Sequence, residues 1–438
     1  MADPVRKTPE LVEKEPKKVV LKDVTQHHKK AAVTVVLGGG RAWLVWALAT
    51  TFVIWLFNIQ TGYAILNERV AAAINLSVNE IGFIAAVYTW VFAIAQLFSG
   101  ALLDKLGSRK ILVPSIAMVS LGVFVYANAT SFSGILVSQI IIAIGSCAGF
   151  VGAGYVGGIW FGMAKFGFMF GLVQMLAALS SAFGQNLISF ALESTDWRGL
   201  MNGFGAFGVA LLAVSALFLK NPTPVDTSNV KISSLPSDVV KSVISVVKNR
   251  QIILIALVGA AAFGALLALG VVWLPKLLTA HGFEYSSTIM ASSCLWLGLA
   301  FGSAFINQIS EKFRSRKHVI TVTLFLEIIT LGTLIYAPVS PLFSYVLAFV
   351  FGTANAGHML AFTMAAESVT PDKIGTSASV VNGTMFVVGG VLMSAPGSVL
   401  GNSALTLAHM QTAISVILGT LIVAFVIAFA QKETFKTQ

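Results

Sequence analysis

Gly100-Ala-Leu-Leu-Asp104-Lys-Leu-Gly107-Ser-Arg109-Lys110 is a polar interruption between two long apolar runs, and its reading decides the architecture. An acid where one apolar run ends, with Arg and Lys where the next begins, can pair across a tight turn and hold two helix ends at a membrane surface. The chain later carries a second copy, Glu311-Lys312-Phe-Arg314-Ser315-Arg316-Lys317, with the acid, the Lys, the Ser and the Arg-Lys pair in register. Gly100 and Gly107 correspond there to Asn307 and Arg314, so the second turn is expected to clamp less tightly. One design is used twice.

Outward from these turns, runs of about twenty apolar residues, the length that crosses a bilayer, fall at 42–66, 82–103, 111–129, 133–160, 166–192 and 199–219. Six more fall at 251–274, 287–309, 318–337, 343–366, 375–398 and 407–430. This predicts an all-α membrane protein of twelve transmembrane helices in two pseudo-symmetric bundles, at 42–219 and 251–430. Residues 1–41 and 431–438 are expected to be cytoplasmic tails. The polar segment 220–250 is expected to be a cytoplasmic linker, with a short interfacial helix whose Val239, Val240, Val243 and Val247 share one face.

Composition agrees. The chain of 438 residues is 56% hydrophobic and 11% charged, with 39 glycines, outside the range of soluble domains. Its net charge of +10 sits in short loops and tails between apolar runs, which speaks for a membrane surface and against nucleic acid. Of the 28 Lys and Arg, only Arg69, Arg198 and Lys276 fall in loops on the opposite side, so both termini are expected in the cytoplasm of an inner-membrane protein. Cys147 and Cys294 lie within apolar runs, as packing residues. No phosphate-binding loop, metal-ligand cluster or nucleophile elbow is present, so neither an enzyme nor a cofactor or metal site is expected.

The Gly-x-Leu-x-Asp-x-x-Gly-x-Arg-Lys pattern between spans 2 and 3, echoed between spans 8 and 9, resembles the signature loop of the major facilitator superfamily. The resemblance implies a secondary transporter that works by alternating access and is usually a monomer. It further implies a cavity lined by spans 1, 4, 7 and 10, with spans 2, 5, 8 and 11 at its sides. A second repeat fits this plan: Lys165-x-Gly167-Phe-Met-Phe-Gly171 matches Lys373-x-Gly375-Thr-Ser-Ala-Ser379, placing Gln174 opposite Asn382. Parallel halves with a site between them near the midplane are expected.

Polar groups inside spans are expensive and therefore candidates. Substrate-binding candidates are Asn58, Gln60 and Tyr63 on span 1, Gln139 and Tyr155 on span 4, Gln174 on span 5, Trp296 on span 8, Asn355 and His358 on span 10, and Asn382 on span 11. Gln139 stands where the family's second motif has an Arg associated with proton coupling, which weakens a carry-over of that mechanism. Arg69 and Lys276 are candidate entrance charges. His358, of the residue type that can change charge near neutral pH, is the leading coupling candidate; Glu327, the acid deep within span 9, either carries protons or makes a structural hydrogen bond. Gly100, Asp104, Gly107, Arg109, Lys110, Glu311, Arg316 and Lys317 form the conformational hinge.

No Lys or Arg lies mid-span, which disfavours multiply charged oxyanions. The expected activity is proton-coupled uptake of a small polar solute such as an amino acid or related metabolite. The alternatives are a larger carboxylate or a siderophore, moved inward or outward, and, from another class, a transport-silent membrane receptor or scaffold.

Overall fold

The computed structural model describes residues 18–19, 35–223, 225, 231, 233–337, 339–401 and 406–435, side chains 18–19, 35–36, 61–65, 67–68, 78–79, 185–186 and 189 apart. Most of the expected N-terminal tail therefore lies outside the described residues, as does the side chain of Tyr63. Two short strands, Lys18–Val19 and Val35–Val36, pair antiparallel.

Twelve helices are long and apolar enough to cross a membrane. The first six are α1 (Gly39–Ile74), α2 (Val78–Leu106), α3 (Ser108–Asn128), α4 (Phe132–Phe161), α5 (Phe166–Ser194) and α6 (Trp197–Phe218). The second six are α7 (Arg250–Ala280), α8 (Tyr285–Lys312), α9 (Arg316–Tyr336), α10 (Pro341–Glu367), α11 (Ile374–Leu400) and α12 (Leu407–Ala430). Short polar side chains start many of them. Ser77 and Glu80 form a capping box at α2. Asp196 caps α6 by accepting from Gly199 N at 2.7 Å, while Arg198 donates to the carbonyls of Ala127 and Ala129 and stacks on Trp197. The Asp196-Trp197-Arg198 segment thus fastens the start of α6 to the end of α3. α1 runs eight residues past its expected end, so Arg69 belongs to a helix rather than a loop.

Three spans are irregular. α4 is interrupted at Cys147-Ala148, α7 holds a π turn at Leu269–Trp273, and α10 tightens to a 3₁₀ turn at Ala356–Met359. Such turns break the regular ladder and often mark functional positions; two of these abut the cavities described below.

The buried apolar residues form two clusters. One is drawn from the first six helices alone. The other belongs mainly to the second six but takes in Leu103, Val151, Phe166, Phe170 and Ala178 of the first. The two bundles therefore share a core on the side where the hinge turns lie, called here the hinge face. Helices α2 and α11, and likewise α5 and α8, make most of the contacts between bundles.

The linker helix, Leu235–Val247, packs on α2 and α11, but with a different face from the one expected. Val239 and Val246 are buried, whereas Val240 and Val247 are exposed. Six of the thirteen residues of this helix are Val or Ile, so more than one of its faces is apolar.

Each bundle also fastens its own turn. Gly107 has φ +81, and the following Ser108 donates from both N and Oγ to Asn221 Oδ1, just past α6. In the second bundle Glu433, just past α12, accepts from Ser315 Oγ, from Arg316 N at 2.9 Å and from Lys317 N at 3.2 Å. Arg314, in the place of Gly107, likewise has a positive φ of 50. Burial pushes the Glu433 carboxyl up, but its hydrogen bonds from Ser315, Phe435, Arg316 and Lys317 outweigh this and hold it below the usual glutamate range. A depressed carboxyl stabilises the fold above its ordinary value, about 4.3, and loses that contribution as pH falls through the folded value. Glu433→Gln is therefore expected to lower the melting temperature at neutral pH and to flatten its dependence on acid, as a thermal melt series between neutral and acidic buffers would measure.

Candidate functional site

The turn between α2 and α3 does not close on itself. Asp104 Oδ1 accepts from Gly375 N at 2.8 Å, and Oδ2 accepts from Thr376 N at 2.7 Å and Thr376 Oγ1 at 2.8 Å. The acid thus caps α11 in the other bundle instead of pairing with Arg109 or Lys110, as expected from the sequence. Arg109 donates to the Ala216 carbonyl on α6. A carboxylate at a helix N-terminus meets unsatisfied N–H groups and the positive end of the helix dipole, which explains why the local bases lose it.

Gly100 allows this approach, because a Cβ there would run into the Gly375 carbonyl. Ser379 Oγ adds a bond to the Leu97 carbonyl at 3.1 Å.

The second copy acts differently. Asn307, in the place of Gly100, donates to the Gly167 carbonyl on α5 at 2.8 Å and accepts from Thr363 Oγ1 at 3.1 Å. Glu311 and Arg316 stay within their own bundle, 4.0 Å apart, and Arg316 lies 3.3 Å from Glu367. Lys317 Nζ donates to the Phe429 carbonyl. The hinge face is thus closed by α2 against α11 and by α5 against α8, with stacked Phe170 and Phe362 rings 4.8 Å apart between them.

Toward the opposite face lies a cavity of about 310 Å³ between the bundles. Its polar wall includes Gln60, Tyr88, Thr89, Gln139 and Ser181, and its apolar wall includes Phe57, Phe92, Trp296 and Phe386. Gln60 donates to the Tyr88 hydroxyl. The π turn of α7 contributes Gly270 and Val271. Beneath it, closer to the hinge face, is an inner pocket of about 30 Å³ where Gln174, His358 and Asn382 meet. Gln60, Phe92 and Phe386 line both spaces. The Phe92 and Phe386 rings, 4.7 Å apart and edge to face, come from opposite bundles and form the partition.

The site therefore gathers Gln60, Gln139, Gln174, Trp296, His358 and Asn382. Other candidates stand apart from both spaces. Asn58 donates to the Ile54 carbonyl and to Ser180 Oγ, tying α1 to α5. Asn355 donates to the Ala262 carbonyl at 2.7 Å and to Glu327 Oε2 at 2.9 Å, joining α7, α9 and α10. Glu327 is fully buried in that junction, and Tyr155 lines neither space. Arg69 donates to the Leu192 carbonyl, and Lys276 lies 4.8 Å over the Trp273 ring, so both are engaged outside the cavity wall.

Sequence reasoning missed Tyr88, Phe92 and Phe386. An aromatic side chain inside an apolar span is silent, because lipid, core and cavity wall all accept it. The i, i+4 spacing of Tyr88 and Phe92, whose rings stack 6.1 Å apart, was the available signal.

The chain resembles several known proteins. It is 23% identical over 168 residues to a probable sulfoacetate transporter, SauU, of Cupriavidus necator, covering 37% of each chain. It is 24% identical over 166 residues to the probable galactarate/D-glucarate transporter GarP of Escherichia coli (strain K12), covering 36% of this chain and 37% of that one. The match thus spans little more than a third of the length of these curated relatives. The human organic anion transporter MFSD10 (TETRAN) has the same fold, with a TM-score of 0.64 at 15% identity, over 89% of this chain and 99% of that one. A family model of the Major Facilitator Superfamily matches residues 42–394, which span eleven of the twelve helices and both hinge turns, and the chain is a multi-pass membrane protein belonging to that superfamily.

Proposed function

We propose that the chain is a secondary transporter that moves a small polar solute across a bacterial plasma membrane by alternating access, as a monomer of two bundles joined by 220–250. The observation that carries this reading is the cavity between the bundles, set against a closed hinge face. With the hinge face cytoplasmic, as the placement of Lys and Arg favours, this arrangement corresponds to an outward-facing state.

The lining supports a substrate class. Among the described residues, neither space is lined by Lys, Arg, Asp or Glu. Amides, hydroxyls and aromatic faces suit a compact solute with an apolar part and at most one net charge, such as an amino acid or related metabolite, taken up with a proton. A second reading, a carboxylate, is favoured by the names of the two bacterial relatives. A solute with two acid groups would, however, meet no fixed cation in this wall.

The test is a thermal-shift screen of the purified protein against amino acids, nucleosides, mono- and dicarboxylates and siderophores, followed by flux of the stabilising ligands. A ligand at a hundred times its Kd adds about 2.7 kcal/mol to a two-state native protein. Expected is stabilisation by a compact solute and its accumulation in proteoliposomes under an inside-alkaline gradient. Stabilisation without flux for every ligand would instead indicate a receptor.

A further inference from the structure

We propose that the inner pocket is a subsite for a single carboxylate group, bound together with one proton that resides on His358. This deepens the transport reading and rests on it for the solute's route to the pocket.

Three groups face that space. Gln174 on α5 and Asn382 on α11 occupy matching places in the internal repeat and come from opposite bundles. Each is 3% exposed, and Gln174 Nε2 and Asn382 Nδ2 have no hydrogen-bond partner among the described residues. A buried amide N–H without an acceptor is costly, so two of them aimed into one pocket call for a ligand that accepts hydrogen bonds. The pocket's 30 Å³ is room for about two water-sized atoms. A carboxylate, with two oxygens and no donor, fits that description.

His358 supplies the third contact and the condition. Its Nδ1 lies 2.6 Å from the Asn355 carbonyl oxygen, an atom that can only accept, so Nδ1 carries a hydrogen. In the neutral ring Nε2 therefore presents a lone pair, which repels a carboxylate oxygen. Only the ring protonated at Nε2 can donate to it. The surroundings press the same way, since Phe92, Phe263, Phe386 and other apolar side chains make most of the rest of the wall, with Gln60 and Ser146 its remaining polar groups and neither of them charged. A lone anion or a lone imidazolium is costly there, whereas the two together are neutral and hydrogen-bonded.

The acids and bases around His358 leave this task to it. From α9, Glu327 faces it only through Asn355. The packed helices α5, α7, α8, α10 and α11 hold their charged groups (Glu193, Arg250 and Lys276, Glu311 and Lys312, Glu367) at or near their ends, with Lys373 just ahead of α11, and Cys294 of α8 lines neither space.

Loading is then one carboxylate and one proton from the same solution. The amides hold the anion from both bundles, so the pair fills only when the bundles are close.

The experiment uses the purified full-length protein in weakly buffered detergent at neutral pH, with a pH indicator. Propionate, lactate, benzoate and phenylacetate are the probes, with succinate and benzamide for comparison. Tryptophan fluorescence, which Trp296 in the cavity wall reports, gives occupancy. Expected is uptake of one proton per monocarboxylate bound, with succinate weaker. In His358→Gln proton uptake disappears, and affinity falls about 10- to 100-fold, the range for a hydrogen bond to a charged group. In Gln174→Leu and Asn382→Leu affinity falls by a similar factor while the ratio of one proton per ligand is kept.

Binding of a monocarboxylate without proton uptake by the wild-type protein overturns the subsite. So does proton uptake that survives in His358→Gln, or failure of all four probes to bind. None of these touches the transport reading, which falls only if no stabilising solute is carried into proteoliposomes.

Discussion

Gly100→Val is expected to deplete the closed form of the hinge face and to reduce transport by about two orders of magnitude. At this point α2 and α11 touch backbone to backbone. A Cβ on Gly100 would strike the Gly375 carbonyl and come within 2.6 Å of Ser379 Oγ, while a Cβ on Gly375 would lie 2.7 Å from the Gly100 carbonyl oxygen and 2.8 Å from Asp104 Oδ1. The nearest of these neighbours are backbone atoms of the facing helix, so turning the Ser379 or Asp104 side chain does not relieve the strain. Overpacking costs about 1–3 kcal/mol even in cores that adjust, and the upper end of that range is about a hundredfold in a two-state population. The clash vanishes when the bundles part on this side, so the protein should still melt cooperatively. Spin labels at Lys220 and Asp372, exposed on opposite bundles, would read the change as a shift to longer separations. Unchanged distances, with transport intact, would mean that α11 slides past without opening.

Asp104→Asn acts on the same seam by chemistry rather than volume. The carboxylate accepts three hydrogen bonds at the start of α11 and complements that helix's dipole. The amide keeps the shape but loses the charge and turns an NH₂ toward donors. A hydrogen bond to a charged group contributes about 1.5–3 kcal/mol, so the closed form should lose about 10- to 100-fold in population. Transport should slow, while affinity measured in the form that still closes should change little. The same label pair and a binding isotherm separate the two effects. A variant with wild-type distances and flux would remove Asp104 from the switching mechanism.

How much of this was legible in the sequence differs from group to group. The twelve spans, the duplication and the two turns follow from apolar run length and from residues in register, because a bilayer imposes both. The partner of Asp104 did not follow. Nothing local tells an acid to ignore Arg109 and Lys110 for a helix end in the other bundle; only the two glycines at Gly100 and Gly375 hinted at a close crossing. Within the site, Gln174 and Asn382 were paired by the repeat alone, and the structure brings both into one pocket. Asn58 and Asn355 read the same as these in sequence, yet they tie helices together, because an amide in a span serves either end equally well. Glu327 was left open between two roles and is found donor-satisfied on one oxygen by Asn355.

The two fasteners beyond α6 and α12 bear on how the halves are tethered. Asn221 is tied to the first bundle, and the linker helix lies across both, on α2 and α11, with Ser242 meeting Thr376 at 3.1 Å. The residues between Asn221 and Leu235 number about a dozen, a length that at about 3.3 Å each can span at most some 40 Å. Chain length alone therefore allows the halves to part on the hinge face. The linker helix then acts as part of the seam itself, and parting the halves must peel it from α2 or from α11.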